Sequence, residues 1–105
     1  MFKATSNEYL ANGLIIEPAN PHANDRVTIV YNGLLAQSGA PRLFARVGHG
    51  CNWHETEEYE MSRTVSGFET TVPARNSETL NVAFRDTVFN WDNNHGMNYT
   101  FNVQR

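Results

Sequence analysis

The sequence predicts an all-β fold in which antiparallel strands form two sheets facing each other across one core. Three observations carry this. Apolar and polar side chains alternate with a period of two in one segment after another. No stretch repeats apolar residues at helical spacing over three turns. Turn formers such as Asn32-Gly33, Gly48 and Pro73 end these segments at near-regular intervals.

Taken in order, residues 1–12 carry the weakest pattern and are expected to be a loose amino-terminal arm, leaving 13–105 as the folded domain. Gly13-Leu14-Ile15-Ile16-Glu17 is a short apolar run stopped by Pro18, which suits an edge strand. Arg26 to Tyr31 places Val27, Ile29 and Tyr31 on one face before the Asn32-Gly33 turn. Leu43, Ala45 and Val47 alternate with Arg42, Phe44 and Arg46. Phe68, Thr70 and Val72 form the next strand, followed by Leu80, Val82 and Phe84, and finally Tyr99, Phe101 and Val103. Short strands so spaced belong to the immunoglobulin-like class of antiparallel β-sandwich.

A chain of 105 residues with 40% hydrophobic and 18% charged residues suits one globular domain and is too apolar for disorder. The formal net charge of −3 and the scattering of eight basic residues give no footprint for nucleic acid. No apolar run approaches the ~20 residues that span a bilayer, so no membrane is expected as a partner. The first residues lack the apolar stretch of a secretory leader, so the chain as given is expected to be cytoplasmic unless it is excised from a longer secreted parent. The lone Cys51 cannot form an internal disulfide.

The residues that do not fit a core are more informative. Trp53 follows Gly48-His49-Gly50-Cys51-Asn52, and Trp91 sits between Asn90 and Asp92-Asn93-Asn94-His95-Gly96. An indole in such polar surroundings either folds back onto its own sheet or supplies a binding platform. Two of them, flanked by amide side chains, suit sugar rings. Pyranose C–H faces lie flat on aromatic planes, and Asn and Asp side chains bond the hydroxyls. Arg46, on the strand leading to Trp53, adds donors.

The run Val27-Thr28-Ile29-Val30-Tyr31-Asn32-Gly33-Leu34-Leu35-Ala36-Gln37-Ser38-Gly39-Ala40 resembles the opening of starch-binding modules of carbohydrate-binding families twenty-five and fifty-three. Met61-Ser62-Arg63-Thr64, Gly67 to Pro73, Phe84-Arg85-Asp86 and Asn90 to Tyr99 are similar to the rest. The resemblance implies non-catalytic binding of α-1,4-glucans (starch, glycogen or maltooligosaccharides) without a cofactor, possessed of a carbohydrate-active enzyme as a candidate partner. It also implies that Trp53 and Trp91 are the two platforms and that Asp92, Asn93 and Asn94 form the polar run after the second. Where many relatives have an aromatic, a spacer and a histidine, this chain has Phe44, Ala45 and Arg46. Phe44 and Arg46 are therefore site candidates with an altered donor.

Other chemistries compete for the same residues. His49, Cys51 and His54 suggest a metal site, but the chain lacks a Cys-x-x-Cys pair, and no metal is expected. A thiol nucleophile at Cys51 lacks an evident orienting third group. Glu55, Glu57, Glu58 and Glu60 could be imagined as paired carboxylates for glycoside hydrolysis, but a solvated loop or strand face is the far stronger reading of such a run. Asp92-Asn93-Asn94 lacks the ligand spacing of an EF-hand. Asn98-Tyr99-Thr100 satisfies a glycosylation sequon, yet Tyr99 reads as core. A protein-interaction β-sandwich acting through an exposed sheet edge is the alternative function, and it leaves both tryptophans without a reason.

Overall fold

The computed structural model describes residues 9–50, 53–75 and 79–104. Its strands are β1 (Leu14–Glu17), β2 (Arg26–Tyr31), β3 (Leu43–His49), β4 (His54–Glu60), β5 (Ser62–Thr64), β6 (Gly67–Pro73), β7 (Thr79–Asp86), β8 (Trp91–Asp92) and β9 (Tyr99–Asn102). They form two antiparallel sheets, ordered β1-β2-β6-β5 and β4-β3-β7-β8, with β9 also pairing with β7. The all-β antiparallel sandwich expected from the alternation is what the chain adopts.

Pairing register explains the alternation. In the first sheet Leu14, Ile16, Val27, Ile29, Tyr31, Phe68 and Val72 point inward. In the second, Leu43, Ala45 and Val47 lie opposite Asp86, Phe84 and Val82, and Leu80 opposite Phe101. All of these are buried, so each strand gives one face to the core. β1 is an edge strand, as its short run and following proline imply.

One strand position at the edge of the second sheet is filled twice. β8 pairs with Phe84 and Arg85, and β9 pairs with Thr79 to Val82, along the same side of β7. Between them residues 93–98 leave the sheet. Asn94, His95, Gly96 and Asn98 there adopt left-handed backbone, which suits Asn and Gly and costs most other residues. The sequence thus makes an edge strand with an excursion in the middle, and Trp91 stands at its base.

A second departure from pure β is α1 (Leu34–Gln37), a single turn of helix that carries the chain from the first sheet to the second. Its length lies below what sequence periodicity can reveal.

The two sheets are tied by a buried polar cluster. The Tyr31 hydroxyl, from β2, donates to Asp92 Oδ2, and the Tyr99 hydroxyl donates to Asp92 Oδ1 at 2.8 Å. The Leu35 amide donates in turn to the Tyr31 hydroxyl at 3.1 Å, which docks α1. Tyr31 also stacks on Phe84 at 4.1 Å between ring centroids. Burial, followed by hydrogen bonding to the Asp92 carboxylate, pushes both phenols well above the usual tyrosine range, so they remain donors.

Of the stretch expected to be a loose arm, residues 1–8 lie outside the described residues. Leu10–Asn12 form a 3-10 turn, and Tyr9 sets its ring edge-on to Tyr99 at 5.0 Å and to Phe101 at 5.4 Å. Among the described residues no helix is long and apolar enough to cross a membrane.

The cluster should carry measurable stability. Truncating Asp92 strands two buried hydroxyls, and hydrogen bonds to charged groups contribute about 1.5–3 kcal/mol each, so Asp92→Ala is expected to cost about 3 kcal/mol or more. Tyr99→Phe removes one bond and is expected to cost about 1–2 kcal/mol. Urea unfolding at neutral pH measures both, and an unchanged midpoint for Asp92→Ala contradicts this account.

Candidate functional site

The candidate site is built on the outer face of the second sheet. Inward residues of β3 and β7 alternate with Phe44, Arg46 and Gly48, and with Asn81, Ala83 and Arg85. Cross-strand pairing sets Phe44 beside Arg85 and Arg85 beside Trp91. On the other flank it sets Glu60 beside Phe44 and Glu58 beside Arg46. The outer face therefore carries, from edge to edge, carboxylates, then aromatic and guanidinium groups, then an indole.

Trp53 reaches this face by a different route. It ends the short turn after β3, with left-handed backbone and its amide bonded to the Gly50 carbonyl at 3.1 Å. Its ring lies on Gly48: a Cβ placed there would come within 2.3 Å of Trp53 Cε3. Glycine at position 48 is what lets the indole rest against the strand, and Trp53 is only partly buried. Trp91 is 40% exposed. The Gly48 and Trp91 positions are four residues apart along the strands and two strands across. At roughly 3.3 Å per residue and 4.8 Å per strand, about 16 Å separates them.

Between the indoles the polar groups differ in how firmly they are held. Arg85 lies 4.3 Å above the Phe44 ring and 4.6 Å from that of Phe89, and its Nε and Nη2 each reach Glu58 at 2.7 Å. This bidentate pair holds the Glu58 carboxyl below its ordinary range. Arg46 is tied to the same carboxylate only at 3.7 Å, with 48% of its side chain exposed. Arg85 is thus fixed between Phe44 and Glu58, while Arg46 is held more loosely and is about half exposed. Sequence reasoning did not single out Arg85; the signal was its strand register opposite Phe44, which only pairing reveals.

The polar run after Trp91 divides. Asp92 lies beneath the surface with both carboxylate oxygens bonded to tyrosine hydroxyls. Asn93 accepts the Gly96 amide at 2.9 Å through Oδ1, and Asn94 donates to the Asn98 carbonyl at 3.1 Å. On the approach to Trp91, Asp86 accepts from the amides of Val88 and Asn90 and from the Asn90 side chain, fixing the 86–90 turn. The Asn90 side chain, then its backbone amide, hold the Asp86 carboxyl below its ordinary range. Trp91 is therefore held from both sides.

The residues of the competing constellations are placed only in part. His49 is buried in β3 opposite Leu80, inside the sandwich and not in a loop. Cys51 and the His54 side chain lie outside the described residues. Among the described residues no group of three His, Cys, Asp or Glu could hold a metal ion. Glu57, Glu58 and Glu60 lie on β4 and pair with Arg75, Arg85 and Arg42 respectively. They form a solvated strand carrying ion pairs.

The seat of Trp53 can be tested directly. Gly48→Ala places a methyl group where the indole now lies, so the ring has to lift away from the strand. In a Trp91→Phe background, where Trp53 is the one remaining tryptophan and is excited selectively over the four tyrosines, Gly48→Ala is expected to red-shift the indole emission. An unchanged spectrum contradicts this packing.

Against this geometry, comparison with known proteins gives one result. A family model described as a starch/carbohydrate-binding module of family 53 matches residues 27–84, more than half of the chain. No curated protein and no solved structure matches significantly. The matched segment runs from the start of β2 into β7, so it includes Phe44, Arg46, Gly48 and Trp53 and ends before Trp91. The chain belongs to family 53 of the starch/carbohydrate-binding modules.

Proposed function

We propose that this module binds α-1,4-glucans, as starch, glycogen or maltooligosaccharides, on the outer face of its second sheet. The observation that carries the proposal is that Trp53 and Trp91, far apart in the chain, stand over one face with Phe44 and Arg46 between them. The Gly48 and Trp91 positions, about 16 Å apart by strand geometry, suit sugar rings several units apart along one chain better than a single ring. Arg46 supplies hydrogen-bond donors to hydroxyls. Asn93 commits its side-chain oxygen to the turn and not its amide hydrogens, so it contributes donors as well. Asp92 and Asn94 act by positioning, since their side chains are engaged within the protein.

Binding without catalysis is the corresponding role, with the module tethering a carbohydrate-active enzyme to a polysaccharide. The support is chemical: the face offers aromatic surface and held donors, while its carboxylates are neutralised by arginines. A glycosidase needs two carboxyl groups facing each other across the scissile bond.

A shallow sugar site of this kind is expected to bind with a dissociation constant of roughly 10 μM to 1 mM, which is about 4–7 kcal/mol. Central aromatic anchors contribute about 2 kcal/mol or more, so Trp53→Ala and Trp91→Ala should each weaken binding by about 30-fold. Arg46→Ala should weaken it less, with stability unchanged. Affinity electrophoresis in glycogen, amylopectin, xylan and cellulose gels, followed by calorimetry with maltoheptaose, measures these effects. Retardation by xylan or cellulose alone, or wild-type affinity in both folded tryptophan variants, contradicts the proposal.

A further inference from the structure

Trp91 borders more than the outer face. A cleft of about 460 Å³ runs between α1 and the excursion after β8, lined by Asn12, Leu34, Gln37, Trp91, Asn93 and His95. A second cleft, of about 450 Å³, lies on the other side of the same two apolar residues, with Leu34, Ser38, Asn90 and Trp91 in its lining. Leu34 and Trp91 are common to both, so they form the ridge between them. Leu34 is 64% exposed at the start of a docked helix, where the burial of Leu35 already satisfies the core. An exposed leucine beside an exposed indole, ringed by side-chain amides and an imidazole, is an arrangement of apolar faces and hydroxyl partners.

We propose that the cleft between α1 and the 93–98 excursion is an additional subsite that takes a further stretch of the same glucan chain beyond Trp91. The inference rests on the α-glucan reading above and extends it from a two-platform site to a longer one. Continuity with that face, through the shared indole, identifies the occupant. Leu34 provides an apolar surface for the sugar, and Gln37, Asn93 and His95 provide donors and acceptors. The walls are fixed beforehand: Gln37 is anchored through its amide to the Asn32 carbonyl at 3.1 Å, and the Asn93 turn is closed on Gly96. Little ordering is then required on binding.

The consequence is that part of the preference for longer chains depends on Leu34 and His95, which line the cleft and not the outer face. Maltotriose is short enough to occupy the outer face without the cleft, whereas maltoheptaose reaches both. Calorimetry on the wild type and on Leu34→Ser and His95→Ala, each checked for fold by circular dichroism, tests this. The wild type is expected to bind maltoheptaose about tenfold more tightly than maltotriose, and each variant should lose about threefold or more for maltoheptaose only. Unchanged maltoheptaose affinity in both folded variants overturns the subsite. So does an equal loss for both sugars, which would place Leu34 and His95 on the main platform. Failure of the wild type to bind either sugar instead overturns the α-glucan reading itself, so the two failures are distinguishable.

Discussion

The buried carboxylate of Asp92 is the constraint on which the functional end of this sandwich depends. Its two oxygens receive the hydroxyls of Tyr31 from one sheet and Tyr99 from the other, and the Tyr31 oxygen receives the first helix through the Leu35 amide. A buried carboxylate is costly unless its oxygens are bonded, so the cluster is satisfied only when both sheets, α1 and β8 are in place together. Trp91 is the neighbouring residue on the strand, and its side chain points to the opposite face. The position of an exposed indole is thereby set by an interior interaction.

The same separation of roles runs through the face. Arg85 is locked between Phe44 and Glu58 and acts as a strut, while Arg46, one register row away, is held weakly by the same carboxylate. Gly48 acts by having no side chain, giving Trp53 a flat seat. On the proposed reading, aromatic planes fixed in this way would need little reorganisation when a sugar arrives. The family membership fixes carbohydrate binding for the matched segment, and the geometry extends a coherent surface beyond it to Trp91.

Much of the fold was legible in the sequence because burial on one face of each strand leaves a period-two trace. Val27, Ile29, Leu43, Val47, Leu80, Val82 and Phe101 all lie inside, as their alternation implies. What could not be read depends on long-range pairing. Asp92 sits in a run of polar residues and looks solvent-facing in one dimension, yet strand register turns it inward beside Phe84. His49 looks like a loop residue because glycines flank it, although β3 continues through it. The single turn of α1 leaves no periodic signal, and with it the cleft beside Leu34 was invisible. The tryptophans were recognisable as outliers to the core pattern, but their sharing of one face follows from β3, β7 and β8 lying side by side.

The most direct test of a glucan-binding outer face is a nuclear magnetic resonance titration with maltoheptaose. The protein contains two tryptophans, so the indole N–H region reports Trp53 and Trp91 as separate signals. Both indole signals are expected to shift together, along with backbone amides of β3, β7 and β8, while amides of β1, β2 and β6 remain in place. Shifts confined to β1, β2 and β6, or two stationary indole signals at a saturating sugar concentration, would contradict the account.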